Sequence, residues 1–206
     1  MLALAFALVW LFLTGVPGLA SETGLSGREG HPRGRLPLAL HLAPLGEPSL
    51  DEAAARAIED WRTVSRETLG VEAFARVATP GEAQVTILLE PAPSAGLMGV
   101  TRLGADAGGV IALPVRIALF SPAARGQTSR ETVVYQVVAH ELGHALGLAH
   151  TGDPRSLMCC VPGSVDFGDP VRREAYVEGR RRPDVRSVAG QLAEHYRVFW
   201  GRPPTS

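Results

Sequence analysis

The sequence predicts an α+β fold: a sheet of about five strands packed on helices, followed by a small C-terminal part that ends in a helix. Three observations carry this. Five short aliphatic runs, at about 36–45, 71–77, 83–89, 99–103 and 110–120, are bounded by turn-forming residues. Three longer stretches repeat apolar residues at helical spacing, and the order is strand–helix–strands–helix–loop–helix. The 206 residues are 46% hydrophobic and 20% charged, which suits one domain that buries a core.

The chain begins with an uncharged apolar leader, Met1–Ala20. Gly18-Leu19-Ala20 puts small residues at the −3 and −1 positions of an export cleavage site before Ser21, although the Lys or Arg of a typical signal is missing. A run of this length also suffices to cross a bilayer as an uncleaved anchor. Cleaved signal peptide and retained membrane anchor both stay open, and either places the remainder outside the cytoplasm. Residues 21–35, rich in Gly, Arg and Ser, read as a flexible lead-in, and residues 36–200 as the folded domain.

Within that domain Leu36–Leu45 is the first strand. Ser49-Leu50-Asp51-Glu52 is a capping-box signature with Ser49 as N-cap. The helix behind it buries Ala54, Ala57, Ile58, Trp61 and Val64 as one stripe and ends at Gly70. Val71–Val77 and Ala83–Leu89 are strands, and Ile87-Leu88-Leu89 suggests burial on both faces. Gly99–Leu103 and Val110–Phe120 form a hairpin around Gly104–Gly109, where Pro114 implies a bulge or a late strand start. Thr128-Ser129-Arg130-Glu131 caps the next helix, whose Val133, Val134, Val137 and Val138 face the sheet. A last helix, about Asp184–Phe199, carries Val185, Val188, Leu192 and Tyr196 at helical spacing, and Arg180-Arg181-Arg182 before it reads as a solvated turn.

Charge excludes some partners. The formal net charge is −1, so no field recruits nucleic acid or acidic membranes. All 20 basic residues are Arg, and the absence of Asn excludes N-glycosylation sequons. The two cysteines, Cys159 and Cys160, are adjacent; they can pair with each other only as a vicinal disulfide and build no disulfide framework.

The chemistry is concentrated in His140-Glu141-Leu142-Gly143-His144-Ala145-Leu146-Gly147-Leu148-Ala149-His150, a complete H-E-x-x-H-x-x-G-x-x-H string. His140 and His144, four residues apart, lie about 6 Å along one helix face and can both reach a Zn²⁺ at about 2.0–2.1 Å. On a continuous helix His150 would lie about 15 Å from His140 along the axis. The chain must therefore turn back after His144, and Gly147 is the residue that can adopt the required backbone. Glu141, just off the metal axis, suits a general base that takes a proton from a zinc-activated water. His41 on the first strand and His195 on the exposed face of the last helix have no partner at ligand spacing and are assigned no function.

The string, followed by Ser156-Leu157-Met158, resembles the metzincin clan of zinc endopeptidases, and within it the matrixin type, especially its small bacterial members. The match is specific over about 128–160 and order-preserving over about 36–200. The resemblance implies a zincin-like domain with a mixed, twisted sheet on the active-site helix and the N-terminal helix. It implies one catalytic zinc on His140, His144 and His150, Glu141 as catalytic base, and Met158 as a packing platform beneath the metal. An extended peptide or protein substrate would pair with the edge strand at about Met98–Leu103, and the loop at about Val161–Asp169 would wall the pocket for the residue after the scissile bond.

The sequence departs from the family in places. There is no Pro-Arg-Cys-Gly latency segment, no His and Asp set for a second, structural zinc, and no tyrosine close behind Met158. Calcium is compatible with such a domain, but nothing in the sequence supports a site, and oligomeric state is not legible. The expectation is an exported zinc metalloendopeptidase. The alternative is a catalytically inactive, zinc-containing peptide-binding module.

Overall fold

The computed structural model describes residues 25–91, 93, 97–120, 123, 128–161 and 163–202. The expected leader at 1–20 lies outside them. Five strands, β1 (Leu38–Leu42), β2 (Phe74–Arg76), β3 (Val85–Glu90), β4 (Gly99–Arg102) and β5 (Val115–Phe120), form one sheet in the order β2-β1-β3-β5-β4. All neighbours are parallel except β4, which runs antiparallel to β5 at the edge. The mixed α+β architecture is the one expected. Pro114 gives a late start: β5 begins at Val115, while Val110 and Ile111 make only isolated bridges, to Gly30 and Ala105.

The core lies between the sheet and two long helices, α1 (Pro48–Leu69) and α2 (Arg130–Ala145). The α1 stripe of Ala54, Ala57, Ile58, Trp61 and Val64 is buried, and Gly70 ends the helix at φ +69°, a left-handed conformation that glycine adopts without a Cβ clash. The expected Ser49 cap does not form. Pro48 occupies the first turn, where its missing N–H costs nothing, Glu47 takes the N-cap position, and Ser49 Oγ donates to Glu131 instead. Likewise α2 is capped one residue later than expected, with Ser129 Oγ accepting from the Thr132 N–H. Leu88 is half-buried and Leu89 38% exposed, so β3 is covered on one face and not on both.

Two further expectations are corrected. The lead-in packs onto the domain: the Glu29 carbonyl lies against Gly147, Gly30 pairs with Gly109 and Ile111, and His31 is fully buried. Its Gly-rich composition carries no trace of these distant contacts. The Arg180–Arg182 segment is solvated at Arg181 and Arg182, as expected, but it is not a turn. Arg180 and Arg181 end a helix, α3 (Pro170–Arg181), which Asp169 caps by accepting from the Val171 N–H, with Pro170 in the first turn. Only Ala175 of α3 is buried, so no apolar stripe advertised it.

The last helix, α4 (Ala189–Trp200), follows a 3-10 turn at Val185–Val188. Val185, Val188, Leu192 and Tyr196 are fully buried. No helix among the described residues is long and apolar enough to cross a membrane.

Candidate metal centre

The site grows from the C-terminal half of α2. Val133, Val134, Val138, Ala139 and Leu142 bury one side of this helix, and Trp61 of α1 donates its indole N–H to the Ala139 carbonyl at 2.8 Å. The helix is thus fixed from below. His140 and His144 stand one turn apart on its other side, as their spacing requires.

After Ala145 the chain closes with two bonds: Gly147 N–H to His144 O at 2.8 Å and Leu148 N–H to Gly143 O at 3.0 Å. With Gly147 at φ +89°, this is a Schellman ending. A second constraint acts at the same residue. A Cβ on Gly147 would run into the Glu29 carbonyl oxygen of the packed lead-in. Helix α4 holds the reversed chain from its other side: Tyr196 Oη donates to Leu146 O at 3.0 Å, and Gln191 Nε2 to Ala149 O at 2.8 Å.

The turn brings His150 back. The three Nε2 atoms lie 3.0 Å apart for His140–His150, 3.0 Å for His140–His144 and 3.2 Å for His144–His150. His140 Nδ1 donates to Leu157 O and His144 Nδ1 to Leu148 O, each at 2.8 Å. With the Nδ1 atoms protonated, those two Nε2 atoms present lone pairs to the shared centre. Two lone pairs turned toward each other at 3.0 Å repel, and a cation held between them relieves that repulsion. The spacing agrees with it: tetrahedral ligands at about 2.0–2.1 Å from zinc stand about 3.3 Å apart. Burial, reinforced by the His140 ring, pushes the His144 pKa down to about 3, which keeps this ring in its ligand-competent neutral form. The trio is the one group of three or more metal-ligating side chains found among the described residues.

Beneath the trio Met158 is fully buried. Gly143 makes room for it, because a Cβ there would overlap the Met158 sulfur. The chain entering and leaving this turn is tied to the segment after His150, with Thr151 N–H bonded to Met158 O at 2.9 Å and Val161 N–H to Thr151 O at 3.1 Å. Cys159 and Cys160 pair as a vicinal disulfide beside it.

Glu141 is 2% exposed and borders a cleft of about 220 Å³ that also touches His140 and His150. Thr101 of β4, itself buried, places its hydroxyl 2.7 Å from Glu141 Oε2 and 2.9 Å from the Glu141 carbonyl. Gly99 of the same strand lies directly over the carboxylate, for a Cβ there would come within 2.9 Å of Oε1. The family model described as Matrixin matches residues 57–166, more than half of the chain. The chain belongs to the matrixin family. No curated protein matches it.

All of the residues singled out in the sequence, His140, Glu141, His144, Gly147, His150 and Met158, meet in this one place of the matrixin domain. Sequence reasoning missed Thr101, Gly99 and Gly143, since nothing in their local pattern sets them apart. It also misplaced His195, whose ring lies against the Gly147 turn rather than on an open face, with burial lowering its pKa. None of the described residues of the loop at 161–169 borders this cleft. Cys159 and two residues of α3, Tyr176 and Arg180, line it instead.

Proposed function

We propose that this matrixin is a zinc-dependent endopeptidase with His140, His144 and His150 as the zinc ligands and Glu141 as the general base. The observation that carries the reading is the convergence of three imidazole nitrogens beside one buried carboxylate, at a cleft that His140, His150 and Glu141 border, under a sheet edge whose outer side pairs with no other strand among the described residues. Zinc held there supplies Lewis-acid polarisation of a scissile carbonyl and lowers the pKa of water.

The protein's own groups do the rest. The edge of β4 takes an extended substrate by main-chain pairing, which demands little of its sequence. Glu141 Oε accepts a proton from the attacking water and then gives it to the departing amine, so that peptide plus water becomes acid plus amine. The Thr101 hydroxyl fixes the rotamer of that carboxylate. Residues 1–20 act as an export signal or anchor, so the domain works outside the cytoplasm.

Metal analysis of the purified protein, together with hydrolysis of an unstructured protein such as casein, tests the reading. Zinc near one equivalent and chelator-sensitive cleavage at internal bonds are expected. Glu141→Ala should keep the metal and lose turnover. A zinc-loaded wild-type protein that binds casein and cuts nothing would mark it as a peptide-binding module. Wild-type turnover by Glu141→Ala would remove Glu141 from its role.

A further inference from the structure

Arg180 ends α3 in an unusual setting for a cation. Its Nη2 donates to two carbonyls of the segment beneath the metal site, Cys159 O at 3.2 Å and Ser156 O at 3.4 Å. Its guanidinium stacks over the Tyr176 ring at 5.0 Å. Its Nε is buried and has no hydrogen-bond partner. Among the described residues no carboxylate forms an ion pair with it, whereas nearby Arg182 pairs with Glu178 and Arg197 with Glu194. Burial pushes its pKa below the ordinary arginine value, with Tyr176 opposing.

A guanidinium withdrawn from water with an N–H left over is costly unless a negative group meets it. Two carbonyls, the Tyr176 ring face and a hydrogen bond with the Tyr176 side chain answer part of that demand. Arg180 also borders the cleft that holds Glu141, His140 and His150. Met98 and Gly99 of the substrate-pairing edge border the same cleft, so a side chain next to the bond being cut enters beside Arg180.

We propose that this cleft selects an acidic side chain, aspartate or glutamate, at a position flanking the scissile bond, with Arg180 as its counter-ion. The inference rests on the peptidase reading and names its substrate class. A guanidinium pairs with a carboxylate through charge-assisted hydrogen bonds, which an amide or an aliphatic group does not reproduce.

The test uses matched internally quenched peptides that carry Glu, Gln or Leu at either position flanking the cut, with products mapped. Zinc-loaded wild-type protein should cut the Glu peptide with kcat/KM about tenfold or more above the Gln peptide. The ratio should shrink as salt is raised. Arg180→Gln should bring it near one, and Arg180→Lys should restore part of it. A mere clamp on the Ser156 and Cys159 carbonyls would instead lower all three peptides alike and leave the ratio unmoved. The same peptides are also titrated into zinc-loaded Glu141→Ala protein by fluorescence anisotropy. Tighter binding of the Glu peptide there, with no cleavage by wild type, would uphold the selectivity and overturn the peptidase reading. Equal cutting and equal binding of the three peptides would overturn the selectivity and leave the peptidase reading standing.

Discussion

Two helices border the same cleft and are held in opposite ways. Helix α2 buries eleven of its sixteen residues; α3 buries one of twelve. Helix α2 is gripped by apolar packing from the sheet, α1 and Trp61, so it is a floor that cannot easily move. Helix α3 is attached by polar contacts, such as Arg172 to the Ser164 carbonyl at 2.9 Å and Arg180 to the Cys159 carbonyl at 3.2 Å. A metal centre needs ligands fixed to a fraction of an ångström, and a pocket wall does not. On the proposed reading, the division puts the zinc chemistry on the dense element and the selectivity on the loose one.

The comparison breaks most sharply where the dense region turns. Gly147→Ala would force a Cβ into the Glu29 carbonyl at φ +89°. The positive φ alone costs about 1–3 kcal/mol in a non-glycine residue, and the overlap is with backbone, which cannot rotate away. We expect a loss of at least about 3 kcal/mol, or roughly 6–12 °C in melting temperature for a domain of this size, with weaker zinc binding because His150 moves with the turn. Thermal melting with and without zinc checks both. An unchanged midpoint would mean that the lead-in does not brace the site.

His31 provides a pH handle on the same brace. It is fully buried, with Nε2 2.9 Å from the Ala145 carbonyl, and burial, with Arg35 adding, lowers its pKa to about 4. The unfolded chain holds its proton up to about 6.5, so between those values the unfolded state binds more protons and stability rises with pH. The contribution is full above about pH 6.5 and is lost as pH falls to about 4, up to about 3 kcal/mol in all. Denaturant unfolding of wild type and His31→Gln from pH 4 to 7 tests it. The variant should show a shallower slope, and parallel curves would exclude His31 as the source.

These residues also mark the limit of what the sequence disclosed. The metal trio was legible because its geometry is local: four residues of helix, a glycine and a short return bring His140, His144 and His150 together. The sheet and the buried stripes of α1 and α4 were legible because burial writes a period into the sequence. His31, Thr101 and Arg180 act through partners 114, 40 and 21 residues away, and no local period records such a contact. Helix α3 escaped for a related reason. A helix that buries one side chain leaves only its caps, and Asp169-Pro170 was the signature to weigh.

Thr101→Val sharpens the contrast on the catalytic side of the dense region. Valine keeps the buried shape and deletes the hydroxyl that meets Glu141 Oε2 at 2.7 Å. Losing an outer-shell partner of a metal site costs about 10–100-fold in affinity or activity. Since Thr101 touches the proposed base Glu141 and not a histidine, the lower end, about tenfold, is expected in kcat, with KM and zinc content little changed. Steady-state kinetics on one peptide decides it, and a fall in KM-dependent binding alone would assign Thr101 to substrate contact.

The smallest effect belongs to α3. Val171 is 68% exposed, while Val138 of α2 is fully buried. Truncating Val138 to Ala removes buried methyl groups and leaves a cavity, at a cost of about 1.5–3 kcal/mol. Val171→Ser removes comparable apolar surface from a place where water already covers most of it, and should change stability by less than about 0.5 kcal/mol. Chemical denaturation of the pair measures the gap directly. Equal losses at the two positions would mean that α3 is coupled to the core as tightly as α2, and the cleft would then have two rigid walls in place of one. Arg180 could not then adjust to a substrate carboxylate, and the selectivity would have to be built into the resting geometry.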